Sequence, residues 1–426
     1  MNKRDRYLIY LYLLGLAALL VLRDIFGVGI NKFIILFYFI LLALPSSYEA
    51  LITMLCFTFP LICGLPGTYM MLSALIFLVV KRRSINARQF LGILFLLLME
   101  LSASIWYIKT DIAEIIKYLS YAAVVFMIIS DSNLQVDYIG CIKSYVLGTL
   151  LLSIIIVIST IQKAPSDWLQ LFSKGWYRFG AIQAEGVEEV IVRLNPNSMA
   201  FYSIIGICCC FVLIGRINKL ERIINIGALF IFALIGILST SRTWILVLLV
   251  IMGIYIVSIA KNRKKVVISL VCFLTFIIFV KIVLHNFPEI GYGLLERLVS
   301  GSTRTGGGRI HLFMTYFYSF FNSGYILFGT GVTQYRMMLN MSESVHNGLQ
   351  QIVICYGVVG AIIFLYFLVH PLLEAIRKVK LLFWLPFIGM FLFMQTIQFI
   401  NPVMHIMPYV ITVFSLRLDQ KTTFAI

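Results

Sequence analysis

Residues 346–369 read HNGLQQIVICYGVVGAIIFLYFLV. Beyond the polar opening no charge interrupts the run. About 20 helical residues rising 1.5 Å each are what a hydrocarbon layer roughly 30 Å thick requires. The stretch therefore reads as a helix crossing a bilayer. Working outward from it, apolar runs of about 16 to 22 residues recur along the whole chain. The helices they predict cover residues 7–22, 31–45, 48–63, 66–80, 90–107, 112–130, 139–161, 197–215, 223–239, 243–260, 266–284, 346–369, 381–398 and 402–417. Of 426 residues, 61% are hydrophobic and only 12% charged, and the mean hydropathy is +0.99. No single soluble core hides that much apolar surface, so lipid must be the solvent. Outer-membrane barrels alternate polar and apolar residues, and this chain does not.

The formal charge of +16 comes from 34 basic and 18 acidic residues. Nucleic acid is not the partner this implies, because the basic residues cluster in short connectors, at 3–6, 81–88, 216–222, 261–265 and 377–380. With those clusters cytoplasmic by the positive-inside rule, strict alternation places both termini inside as well. The expected fold class is an all-α polytopic membrane protein of about fourteen transmembrane helices. If Pro45, Pro60 and Pro66 kink helices instead of ending them, the alternative count is twelve. The first apolar run reads as a retained helix without a small-residue cleavage site. The eight cysteines all fall in apolar stretches and read as core thiols, with neither disulfide nor metal implied.

Five segments follow. They are N-terminal transmembrane helices (1–161), a first extracytoplasmic loop (162–196), central transmembrane helices (197–284), a large extracytoplasmic loop (285–345) and C-terminal transmembrane helices (346–426). Loops this long are uncommon unless they have a use. The second holds an interfacial helix, from Arg309 to Phe321, with Phe313, Tyr316, Phe317 and Phe320 at helical spacing.

Candidate chemistry gathers on the outer side. His346-Asn347 stands at the mouth of the helix quoted above, and at 100° per residue Gln350, Gly357 and Gly360 return to the face of His346. A histidine with an ordinary pKa near 6.5 can accept a proton from a sugar hydroxyl at neutral pH; a solvent-capped helix end is the bland explanation. Outer arginines are Arg178, Arg193, Arg242, Arg304, Arg309 and Arg336. A guanidinium fork matches phosphate oxygens two at a time, whereas headgroup snorkelling accounts for Arg304 and Arg336 first. Asn195 and Pro196 read as N-cap and first residue of a helix, from whose first turn Asn197 projects toward the outer mouth. Gly306-Gly307-Gly308-Arg309 is no phosphate-binding loop, since neither Lys-Ser/Thr nor a preceding strand accompanies it. Glu100, Gln395, Gln398 and Asn401 are intramembrane polar groups, which more often join helices than line a path.

Together these residues resemble the O-antigen ligase and polymerase superfamily, the Wzy-type polymerases and their ligase relatives. The ligase signature is His, then Asn, Ser or Gln, nine residues, Gly, two residues, and Gly, Thr or Tyr. Here it is met by His346-Asn347, Gly357 and Gly360. Pro196-Asn197, Ser241-Arg242, and Arg309 ahead of Gly329-Thr330-Gly331 follow the family pattern in order, so the likeness spans roughly residues 178–365. The resemblance implies a metal-independent, GT-C-like glycosyltransferase of the bacterial inner membrane that uses no cofactor. Its donor would be an undecaprenyl-pyrophosphate-linked oligosaccharide, its setting the membrane lipid, and a chain-length regulator a candidate partner. It further implies catalytic roles for His346, Arg309 and Arg242, and substrate contacts for Arg178, Arg193, Asn197, Asn347 and Gln350. A polymerase of O-antigen, capsule or exopolysaccharide repeats is favoured. A ligase delivering glycan to a lipid A-core acceptor is the alternative, and a lipid-linked glycan flippase or transporter the lower one.

Overall fold

A computed structural model of the chain describes residues 2–82, 85–106, 111–131, 134–162, 166–173, 177–178, 181–182, 194–260, 263–299, 308–373, 379–400 and 403–423. The first seven long helices are α1 (Lys3–Asp24), α2 (Lys32–Ala43), α3 (Tyr48–Leu61), α4 (Gly67–Arg82), α5 (Ala87–Trp106), α6 (Ile112–Ile129) and α7 (Tyr138–Gln162). A short α8 (Trp168–Ser173) and a two-residue β-hairpin, Tyr177–Arg178 with Ala181–Ile182, come next. Then follow α9 (Pro196–Leu213), α10 (Lys219–Leu238), α11 (Arg242–Ile259) and α12 (Arg263–Asn286). The long segment between α12 and the last helices contributes α13 (Pro288–Val299), α14 (Arg309–Phe321) and α15 (Tyr335–Met338), and α16 (Gly348–Leu373), α17 (Leu385–Met394) and α18 (Tyr409–Thr423) follow. Among the described residues, seven helices are long and apolar enough to cross a membrane: α1, α6, α7, α9, α10, α11 and α16.

Local signals explain most boundaries. Side chains of Asn2, Ser47, Asp111 and Asn195 cap α1, α3, α6 and α9, and Asn218 with Glu221 forms a capping box on α10. Pro45 and Pro66 lie in the turns that separate α2, α3 and α4, whereas Pro60 sits inside the last turn of α3. All fourteen expected helices are present as separate elements, and two need correction near the C-terminus. The helix expected over 381–398 ends at Met394, and the one expected over 402–417 starts only at Tyr409. Between them the chain makes short turns whose backbone is held by buried side chains, a pattern that hydropathy does not register. α9 is buried along its length, enclosed by α7, α10, α11 and α17, and α3 packs closely on α7 beside it.

The connectors gather into two sets. At one end of the bundle Arg4 donates to the carbonyl of Pro45 (2.9 Å), Arg82 pairs with Asp131 (2.7 Å) and Lys143 with Glu221 (2.6 Å). There too Arg417 donates to the carbonyls of Ile129 and Asp131, and Arg88 meets His370. Arg4, Arg82, Arg88 and Glu221 lie in the basic connectors, and their partners lie in or beside the helix ends that the expected alternation puts on the same side. The connectors assigned to the outside meet one another at the opposite end.

One feature was not foreseen. α16 is broken at Gly357, where the backbone is extended in ψ at positive φ (67°, −179°). The segment 326–331 fills the break. Val358 and Val359 donate to the carbonyls of Ile326 and Leu327 (2.8 and 3.2 Å), and Thr330 and Gly331 donate to those of Ile354 and Cys355 (3.1 and 2.9 Å). Gly329 (φ 75°) and Gly357 approach so closely that a Cβ on either would overlap the other's backbone. Non-helical backbone at membrane depth is tolerated only when other protein groups satisfy it, which is what this loop does. From α5, the buried carboxylate of Glu100 accepts from the N–H of Val332 (2.7 Å) and fastens the loop on its far side. The single helical face expected to carry His346, Gln350, Gly357 and Gly360 is thus corrected: α16 begins after His346 and changes course at Gly357.

Candidate functional site

Arg242 is aimed by a strained turn. α10 ends at Ser239, whose hydroxyl donates to the carbonyl of Gly236 (2.6 Å) and accepts from the N–H of Ser241 (3.3 Å). Between them Thr240 sits in the left-handed region (φ 51°), a conformation costly for a β-branched residue and concentrated at functional positions. Behind the turn, the indole of Trp244 fills the space left open by Gly236 and donates to the hydroxyl of Ser203 (3.1 Å). Arg242 consequently leaves the first turn of α11 half-buried.

Arg309 opens α14 after Gly308, which turns the chain at φ 81°. That helix has the expected bounds, and its aromatic residues split into two faces. Tyr316 and Phe320 are buried; Phe313, Phe317 and Phe321 remain exposed. Two bonds fix it: Tyr316 donates its hydroxyl to the carbonyl of Glu343 (2.5 Å), and Gln350 its amide to that of Phe313 (2.7 Å). Arg309 itself is half-buried and makes no hydrogen bond or ion pair with the described residues. Burial, and then the charge of Arg242, pull its guanidinium below its ordinary pKa. Two cations within reach of each other's charge in a partly desolvated place are unfavourable. An anion set between them would relieve the cost.

His346 completes the group. It precedes α16 and is half-buried, with neither ring nitrogen bonded to a described residue. Burial first, and the Arg309 charge second, lower its pKa below 6.5, while Glu343 opposes them. The imidazole is therefore neutral at neutral pH and can take up a proton. The three residues expected to be catalytic come from α11, α14 and the entry to α16; the charge of Arg242 reaches Arg309, and that of Arg309 reaches His346.

The expected contact residues fare differently. Asn347 caps α16, its Oδ1 accepting from the N–H of Gln350 (3.0 Å) and its Nδ2 facing the Gln395 side chain and carbonyl (3.4 Å each). Gln350 spends its amide nitrogen on Phe313, and its buried Oε1 has no partner among the described residues. Asn197 is half-buried in the first turn of α9, with Asn195 as N-cap and Pro196 as the first residue, as expected. Arg193 and Arg304 lie outside the described residues, as does Asn401; for Arg178 only the backbone, in the hairpin, is described. Arg336 is exposed on α15.

Several groups that hold the site were not singled out as such. Gln351 accepts from the N–H groups of Phe399 and Ile400 (2.9 and 3.0 Å), and the buried His405 bridges the carbonyl of Gln398 (2.7 Å) and the hydroxyl of Ser198 (2.8 Å). Since a carbonyl only accepts, Nδ1 of His405 carries the proton and Nε2 accepts from Ser198. Glu100 had a visible signal, as the only acid in its apolar helix; such a group needs a partner. Compared with protein-family models, curated proteins and solved structures, the chain matches none.

Proposed function

We propose that the chain is a polysaccharide polymerase of the bacterial inner membrane, joining repeat units carried on undecaprenyl pyrophosphate at the outer face. The observation that carries this reading is the convergence of Arg242, Arg309 and a neutral His346, two cations and a base, at the bundle end opposite the basic connectors. In this reading the fourteen helices expected from hydropathy cross the bilayer, the shorter ones among them only in part of its thickness, with the basic end cytoplasmic. The acceptor sugar's hydroxyl attacks the donor's anomeric carbon and gives its proton to His346. As the new glycosidic bond forms, the bond from the anomeric carbon to the pyrophosphate oxygen breaks, and lipid pyrophosphate leaves. Arg242 and Arg309 take up the negative charge on that leaving oxygen. Asn347 and Gln350 hold the entry to α16 against α14 and the turn after α17, so positioning supplies much of the rate.

Transfer to a lipid A-core uses the same chemistry and remains the alternative acceptor. A transporter is favoured by one observation, the break in α16, because broken helices form the sites of many carriers. Here the carbonyls and N–H groups at the break are already bonded to residues 326–331, leaving them nothing to offer a substrate. Glycan analysis of a deletion strain tests the three. A polymerase strain accumulates single lipid-linked repeats open to impermeant periodate from outside. A ligase strain accumulates polymer on undecaprenyl carrier, and a transporter strain holds its repeats on the inner leaflet. Unchanged glycan overturns the proposal.

A further inference from the structure

A cavity of about 370 Å³ opens at the end of the bundle that holds the arginines, between the turn joining α3 to α4, the start of α6 and the residues after Gly331. Sites for small molecules occupy roughly 300–1,000 Å³. Its wall differs in character from the arginine site. Glu114 and Lys117 line it as a mutual ion pair (3.0 Å), and nearby Arg23 and Asp24, whose charges reach Cys63 in the wall, also pair with each other (2.6 Å). The charged groups therefore balance. Beside them stand two tyrosines. Tyr118 is fixed by a hydrogen bond to Tyr356, the residue before the break in α16. Tyr121 is 95% buried, 5% of it being exposed, yet its hydroxyl has no partner among the described residues. That hydroxyl occupies the space a Cβ on Gly67 would need, so the backbone of α4 is shaped around it.

A phosphate would find no uncompensated cation here. A sugar ring, with apolar C–H faces and many hydroxyls, finds aromatic faces and a free phenol. We propose that this cavity binds a neutral sugar unit of the glycan and thereby anchors it for the reaction at His346. The first half of α16, from Gly348 to Tyr356, separates the two places by roughly 13 Å at 1.5 Å per residue, a span suited to a short oligosaccharide. The proposal rests on the glycan reading above.

The test is calorimetric titration of the protein in lipid nanodiscs with the free repeat oligosaccharide released from the cell's own carrier, and separately with inorganic pyrophosphate. Wild type is expected to bind both. Thr68→Trp, which fills the cavity, and Tyr121→Phe, which deletes one hydroxyl, are expected to weaken oligosaccharide binding about tenfold or more, the worth of a lost buried hydrogen bond. Neither should change pyrophosphate binding, while Arg309→Ala should show the reverse pattern. No oligosaccharide binding by wild type at millimolar concentration, or unchanged binding by Tyr121→Phe, overturns the cavity assignment. Should Thr68→Trp fail to fold, Tyr121→Phe decides alone. The polymerase reading falls on different evidence, a deletion strain with normal glycan, so the two failures are distinguishable.

Discussion

At the scale of single residues, the site depends on three side chains that have little to do with packing. Replacing His346 by Ala should lower the polymerisation rate by roughly a hundredfold or more, the lower range for acid–base groups, with the protein's level in the membrane unchanged. Wild-type glycan from a normally expressed His346→Ala would remove the histidine from the mechanism. Arg309→Lys should be nearly as damaging as Arg309→Ala, because lysine keeps the charge and loses the fork; full activity with Lys would leave Arg309 a generic cation. The acid limb of the rate against pH follows from the direction of the His346 shift. Since burial and Arg309 lower its pKa, the base form is lost only as pH falls through a value below 6.5. Glu343→Gln removes the one opposing influence and should move that limb to still lower pH. A limb above 6.5 would exclude His346 as the base. These three residues stand out because their types are unusual where they stand: cations and an imidazole at the ends of apolar or aromatic helices, away from the basic connectors. Thr240 does not, since nothing in Ser-Thr-Ser-Arg announces a left-handed β-branched residue.

At the scale of elements, the two glycines of the Gly-x-x-Gly pair have different physical reasons. Gly357 is required by backbone conformation and by contact with Leu327, whereas Gly360 has ordinary helical backbone and a Cβ on it would meet the flexible end of Met99 and the Cβ of Tyr356. Gly357→Ala should therefore cost at least about 1–3 kcal/mol for strain alone, with the overlap in addition. Gly360→Ala should be distinctly milder. Thermal unfolding of both variants in the same detergent checks the order, and equal melting would mean that α16 tolerates a continuous path. Hydropathy could not reveal the break. A glycine in an apolar run reads equally well as a surface for helix approach, and the partner segment lies a long way earlier in the sequence. By contrast, the starts of α3, α6 and α9, capped by Ser47, Asp111 and Asn195, were legible to within a residue, whereas α1 and α10 begin four residues ahead of the apolar run because their first turns are charged.

For the molecule as a whole, the alternation of basic and neutral connectors predicts which ends meet, and the contacts follow it. Orientation in the membrane can be tested at two glycines where a side chain would enter open space, Gly324 and Gly215. Gly324→Cys should react with an impermeant thiol reagent added outside intact cells and Gly215→Cys should not; reversed labelling would put the arginines in the cytoplasm and end the glycan reading. What composition left undetermined was the path of the outer segment, where aromatic and polar residues alternate without a fixed period. The structure shows that this path closes on itself. Gly331 and Cys355 are hydrogen-bonded neighbours, so the stretch between them, which ends in the first half of α16, returns to its starting point and carries His346 on the way. Its part ahead of α16, residues 332–347, behaves as a cassette: its sequence can drift while the glycines at its base and the first half of α16 keep its two ends together. Under the polymerase reading proposed above, a change of acceptor needs only that short stretch to be replaced, with the helices around it inherited intact.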